Sequence, residues 1–289
     1  MEEAWVSADG VPLYVRSSGS GETVIFLHGF PESGASWARQ VSALEVTHRV
    51  LAPDGRGHGR SGCPSEVREY RIERLVADVL EVADHFEAKR FALVGHDWGG
   101  LVAWCAAAWH PERVSRLVAV NAPHPTILQS ALDSDPDQQA ASSYVAALTA
   151  PEAAEGLTPE RLWELIFAAD EARGLIGPEE KADLLASWNR AGAIRAMLNW
   201  YRAAPFDFSA VGGRGGGRLS GALPIAVPTC VIWGMDDPIL LPSLVGARLH
   251  DLVPNLVLQK IEGAGHGVIR EQPELVGRLI ATYLSASSR

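Results

Sequence analysis

The run Gly95-His96-Asp97-Trp98-Gly99-Gly100 sets one carboxylate among small residues two positions to either side. That spacing suits a sharp strand-to-helix turn, in which the flanking residues come so close that only glycine fits. The turn lifts the central side chain above the sheet, and the helix that follows points backbone N–H groups at developing negative charge. A carboxylate held this way is a nucleophile able to form an ester with carbon. The plainer reading of Asp97 is an N-cap aspartate opening a helix. Its place after the buried-type strand Phe91-Ala92-Leu93-Val94, and the partners found downstream, favour the nucleophile. Position 97 holds no serine, which argues against a serine hydrolase.

A nucleophile of this kind needs a histidine to activate water and an acid to orient that histidine. Of nine histidines, His110 precedes Pro111 and caps a helix end, His48 and His250 lie near helix ends, and His85 lies on a surface-type helix. His266, in Gly263-Ala264-Gly265-His266-Gly267, follows the last strand-like run and so falls at the sheet's carboxyl edge. The acid should end the preceding strand, where Asp236 and Asp237 are both candidates. Asn121, after an earlier strand, cannot serve as an anion. The order nucleophile, acid, histidine is the one a strand–turn–helix nucleophile requires.

The elements that must position these groups are legible as alternating runs. A turn at Asp9-Gly10 leads into Leu13–Arg16, so a small hairpin opens the chain. Strand-like runs follow over 23–27, 49–52, 91–94 and 114–120. An amphipathic helix is expected over 72–86 and an all-round apolar one over 101–109. Such alternation predicts a parallel sheet covered on both faces, with ligands at the carboxyl ends of its strands. From about 126 to 224 the pattern turns helical, rich in Ala, Leu and Glu, and it resumes with strands over 228–233 and 256–261 and a helix over 272–284. The expected organisation is a core of residues 1–125 and 225–289 with a helical cap inserted over 126–224, roofing a pocket. The glycine-rich stretch from Gly212 to Arg218 reads as a flexible return to the core.

Composition narrows the function classes. With 47% hydrophobic and 21% charged residues in 289, the chain has the balance of a globular protein with a large core. A net charge of −10 without a basic run argues against nucleic acid and anionic membranes as partners. Three scattered cysteines suit neither a disulfide framework nor a zinc site, and the acidic start Met1-Glu2-Glu3 lacks a signal-peptide layout. No apolar run reaches the length of a membrane span. These features point to a reducing cytoplasm, with no metal and no organic cofactor. The nine tryptophans read as core and pocket walls. The sequence is compatible with a homodimer and does not fix the oligomeric state.

Leu27-His28-Gly29-Phe30-Pro31-Glu32 followed by Gly95-His96-Asp97-Trp98-Gly99-Gly100 resembles the α/β-hydrolase-fold epoxide hydrolases and, more distantly, the haloalkane and fluoroacetate dehalogenases. The resemblance spans about residues 10 to 285. It implies an α/β-hydrolase fold, a mostly parallel central sheet with helices on both faces and an inserted helical cap. It also implies an oxyanion hole from the backbone N–H groups of Phe30 and Trp98, Asp237 as the acid of a Gly-x-x-Asp pattern, and His266 as the base. Gly267 departs from the aromatic that often follows that histidine.

The same resemblance implies two cap tyrosines that donate protons to an opening epoxide. One sits in Asn199-Trp200-Tyr201-Arg202, and the other, Tyr144, lies seven residues before Pro151. Only five tyrosines exist in the chain, so one at each position is informative, although either could be a packing aromatic with its hydroxyl on backbone. The implied activity is conversion of an epoxide and water to a vicinal diol through a covalent ester on Asp97. A haloalkane dehalogenase usually has Asn where this chain has Phe30, and a fluoroacetate dehalogenase has arginines where it has Trp98 and Leu101. A non-catalytic small-molecule receptor on the same fold is the remaining alternative.

Overall fold

The computed structural model describes residues 2–286. Eight strands form one sheet: β1 (Glu2–Ala8), β2 (Val11–Ser18), β3 (Glu22–Leu27), β4 (His48–Pro53), β5 (Phe91–His96), β6 (Val114–Val120), β7 (Thr229–Gly234) and β8 (Leu256–Ile261). Their spatial order is β1-β2-β4-β3-β5-β6-β7-β8. The opening hairpin, with Asp9 and Gly10 at positive φ in its turn, runs antiparallel, and β2 pairs antiparallel with β4. Every other pairing is parallel, so the sheet is mixed and mostly parallel.

Period-two alternation divides each central strand between two cores. Ile25 and Leu27 face the helices Ile72–His85 and Asp97–Trp109, and Val24 and Phe26 face Trp37, Val41 and the closing helix Pro273–Ser285. Burial on both faces is why these strands read as unbroken apolar runs. The Asp97–Trp109 helix is buried on almost every side, which accounts for its sequence lacking a polar face.

Between β6 and β7 the chain forms helices from Pro125–Ser134 to Ala193–Arg202 and no strand, an insertion consistent with a cap. It rests on the loops that leave the carboxyl ends of the strands. Trp188 Nε1 donates to the Pro31 carbonyl (2.9 Å), Trp200 Nε1 to that of Arg56 (2.9 Å), and Arg190 to those of Gly59 and Ser61.

Two expectations shift. His48 opens β4 where a helix end was expected. The glycine-rich return is packed against its surroundings: a Cβ on Gly215 would stand 2.1 Å from the Phe206 carbonyl oxygen, and Arg218 pairs with Asp133 and Asp207. The glycines there permit close approach of backbone to backbone, a use that composition does not distinguish from looseness. Among the described residues no helix is long and apolar enough to cross a membrane.

Candidate active site

The strand β5 ends at His96, and the helix begins on the next residue, Asp97, at φ +51°. A non-glycine residue in the left-handed region is strained backbone held in place by its surroundings. Those surroundings require glycine: a Cβ on Gly99 would lie 2.2 Å from the Leu27 carbonyl oxygen, and one on Gly100 would lie 2.1 Å from Ala122 Cβ. The Asp97 side chain does not cap its own helix. Its Oδ1 accepts from the Phe30 N–H across the sheet edge at 2.9 Å, and its Oδ2 lies 3.5 Å from His266 Nε2.

His266 follows β8, and its Nδ1 donates to Asp237 Oδ2 at 2.8 Å. Asp237, three residues past the last Gly of β7, is fully buried and saturated with donors. Its Oδ1 accepts from the N–H groups of Ile239 and Leu240 (2.8 and 2.9 Å), and Asn121 Nδ2 donates to its Oδ2 at 2.7 Å. Burial alone would raise its pKa, but the His266 ring, the Leu240 N–H and Asn121 hold the carboxyl below the ordinary range. His266 experiences the reverse balance. Burial opposes its charge, yet the carboxylates of Asp237 and Asp97 overcome that and hold the imidazole well above its ordinary pKa. Asp236, the other acid considered from sequence, is not the partner of the ring.

Tyr144 opens one insertion helix and Tyr201 lies near the end of another, and both line the same cavity as Asp97. Their rings meet edge to face at 6.2 Å, and Tyr201 packs against Trp98 (4.9 Å) and Phe30 (5.1 Å). Although 38% of Tyr144 is exposed, desolvation, reinforced by the charge on Asp97, raises its phenol; burial and Tyr144 raise Tyr201 well above its ordinary value. Both phenols therefore keep their protons. Leu101, Leu128, Leu132, Phe206, Phe208 and Leu240 line the cavity beside Asp97 and the two tyrosines. Among the described residues, no group of three or more His, Cys, Asp or Glu side chains is arranged to hold a metal ion.

The structure thus brings Asp97, His266, Asp237, Phe30, Trp98, Tyr144 and Tyr201 into one place. It adds four residues to which the sequence reading gave no role. Asn121 sits at φ +39°, accepts from the Gly234 N–H (2.8 Å) and donates to Asp237, so it holds the acid in position. Glu32, Arg270 and His96 form a buried group beneath the site. Glu32 pairs with Arg270 and accepts from the Gly29 N–H (3.2 Å), and His96 Nε2 donates to the His266 carbonyl (2.9 Å). Against burial, Arg270 and His96 hold the Glu32 carboxyl far below its ordinary range. Glu32 and His96 lay inside the two quoted motifs, which was the one signal available.

Comparison with known proteins places this geometry among relatives. A family model described as alpha/beta hydrolase fold matches residues 22–273. The chain is 33% identical over 286 residues to the AB hydrolase superfamily protein YfhM of Bacillus subtilis, covering 97% of this chain and 96% of that one. It is 30% identical over 299 residues to Epoxide hydrolase 3 of Xenopus tropicalis, covering 96% of this chain and 79% of the relative. Among solved structures, a mutant of an epoxide hydrolase from Bacillus megaterium, complexed with its product (R)-3-[1]naphthyloxy-propane-1,2-diol, superposes with a TM-score of 0.88. It is 28% identical, with 98% of this chain and 100% of that one covered.

Proposed function

The chain belongs to the alpha/beta hydrolase fold family, as an epoxide-hydrolase-like member at about 30% identity, and from that premise we propose that it adds water to epoxides to give vicinal diols. The observation that carries this reading is the pair of protonated phenols, Tyr144 and Tyr201, sharing one apolar cavity with the Asp97 carboxylate. An epoxide opened by a carboxylate leaves an alkoxide and needs a proton donor as it forms; a departing halide needs none. The core of residues 1–125 and 225–289 supplies the nucleophile, acid and base, and a cap of residues 126–224 supplies the phenols.

In this reading Asp97 Oδ2, which faces His266, attacks an epoxide carbon. The carbon–oxygen bond of the ring breaks, and the departing oxygen takes a proton from a tyrosine. His266 then removes a proton from water, which adds to the Asp97 carboxyl carbon. Negative charge collects on Oδ1, where the Phe30 N–H already donates and the Trp98 N–H, next in the chain, is the second donor. The bond between that carbon and Oδ2 breaks, Oδ2 takes the proton held by His266 and leaves as the second hydroxyl of the diol, and the proton left on the new Asp97 carboxyl returns to the tyrosine. The apolar cavity wall supports a substrate with an uncharged, apolar substituent, and the Bacillus megaterium relative holds a diol of that kind.

A single turnover in ¹⁸O-labelled water tests the scheme. The label should enter Asp97 and be missing from the first diol released. Label found directly in that diol would replace the ester mechanism with direct attack by water. Tyr144→Phe and Tyr201→Phe should each slow ester formation from an epoxide by about 10²–10⁴-fold. Faster release of halide from a matched haloalkane than of diol from the epoxide would overturn the assignment.

A further inference from the structure

The loop that carries His266 has little stiffness of its own, since Gly263, Gly265 and Gly267 surround the histidine. Contacts from elsewhere pin it. The His266 carbonyl accepts from His96, and the Gly265 N–H donates to Glu271 Oε2 at 2.5 Å. The other oxygen of Glu271 accepts from Arg173 Nη1 at 2.8 Å. Arg173 is the residue that ends the Ala168–Ala172 helix, inside the insertion. On that same helix Asp170 lies 3.5 Å from Arg270 Nε, and the Arg270 guanidinium stacks over Phe167 at 4.8 Å. A Cβ on Gly267 would stand 3.4 Å from Asp170 Oδ2, in ordinary contact with the insertion's carboxylate. Two consecutive residues of the core, Arg270 and Glu271, are therefore both bound to the segment 167–173.

We propose that segment 167–173 is a clasp that sets the base loop, with Arg173 and Glu271 as positioning residues for His266. The proposal rests on His266 being the base of the hydrolytic step. The chain of contacts runs from Arg173 to Glu271, from Glu271 to the Gly265 N–H, and so to the residue next to the imidazole. Arg173 is half exposed, and its ion pair is too screened to matter much for stability. What it fixes is the side chain that holds the Gly265 amide. Small displacements of a base from its water are costly in rate, so loosening this contact should act on ester hydrolysis. Ester formation depends on Asp97 and the tyrosines, which the clasp does not touch, and should be spared.

The test compares Arg173→Met, Arg173→Lys, Glu271→Gln and Glu271→Ala in the full chain. Rapid mixing with an epoxide reads the two half-reactions separately. Arg173→Met and Glu271→Gln should form ester within about twofold of wild type and hydrolyse it about 5–30-fold more slowly, so that alkylated enzyme accumulates. Glu271→Ala, which also strands the Gly265 N–H, should be slower still, and Arg173→Lys should recover most of the rate. Hydrogen exchange at the Gly265–Val268 amides, read without substrate, should quicken at least about tenfold in Arg173→Met and Glu271→Ala. Unchanged exchange there would overturn the clasp, as would equal slowing of both half-reactions in proportion to unfolded protein. A wild type that opens no epoxide would remove the functional reading while the exchange measurement still decided the clasp.

Discussion

His266 stands between two carboxylates that do not last equally through the proposed cycle. In the free protein Asp237 and Asp97 together outweigh burial and hold the ring well above its ordinary pKa. Esterification removes the charge on Asp97, leaving Asp237 alone to hold the proton. The ring should therefore titrate lower in the ester than in the free protein, and ester hydrolysis should rise with pH along a one-proton limb. Asp237→Asn removes the remaining carboxylate, so that limb should move to lower pH while the plateau rate falls by about 10⁴-fold. A limb that moves upward in single-turnover profiles would show that Asp237 does not set the ring's proton affinity. His266→Gln keeps the site's shape and removes the base. A mass increase of one substrate molecule should then persist on the peptide containing Asp97, and its failure to appear would place His266 earlier in the reaction. For stability the sign is the usual one for a raised histidine. Proton binding favours the folded state, fully so below the ordinary value, and that contribution is lost as pH rises through the folded one.

At the scale of elements, local pattern carried most of the core and little of what supports the site. Buried parallel strands must be apolar on both faces, so β3 to β7 stood out as runs, and boundaries moved by a residue or two; β8, at the sheet edge, is partly exposed. The elbow was legible because its steric demand falls on neighbours in sequence: Gly95, Gly99 and Gly100 surround the residue they make room for. Glu32 and Arg270 were not legible as a pair, because 238 positions separate them and neither has a local reason to be charged in a buried place. The same holds for Asn121, which looked inert as a missing anion and instead bridges two strand ends. The elbow's demand gives a prediction at this scale. Gly99→Ala sets a methyl group 2.2 Å from the Leu27 carbonyl oxygen, so β3 and the helix must part. It should cost about 1–3 kcal/mol in denaturant unfolding. It should also slow ester formation at least about a hundredfold by moving Asp97 against the Phe30 N–H. Gly156→Ala, in a helix with nothing within 4 Å of the new methyl, is the control and should leave both unchanged. Equal behaviour of the two variants would mean the turn tolerates a side chain.

At the scale of the whole molecule, the sheet fixes one carboxylate at its carboxyl edge and the insertion closes an apolar wall over it. Among the described residues no Lys or Arg lines that cavity, and Asp97 is the one acidic residue there. The chain as a whole carries a net charge of −10, which adds a weaker and longer-ranged repulsion of anions. An epoxide bearing a carboxylate would have to bring a second negative charge within about 6 Å of Asp97, whose own charge is offset in part by the His266 imidazolium 3.5 Å away. At an effective dielectric of about 20 the repulsion from Asp97 alone would be about 3 kcal/mol, and the imidazolium reduces the net effect to about 1.4 kcal/mol, or about tenfold in rate. A pair of substrates equal in size, an epoxide acid and its methyl ester, separates the effect of charge from that of fit. The ester should have the higher kcat/KM by about tenfold. The two contributions differ in their response to salt: added salt screens the field of the distant surface charges, whereas the close approach to Asp97, well within a Debye length, is less affected. The gap should therefore narrow only slightly between low and physiological ionic strength. Equal rates for acid and ester would mean that the His266 imidazolium fully offsets Asp97, and the repulsion of anions by this cavity would have to be abandoned.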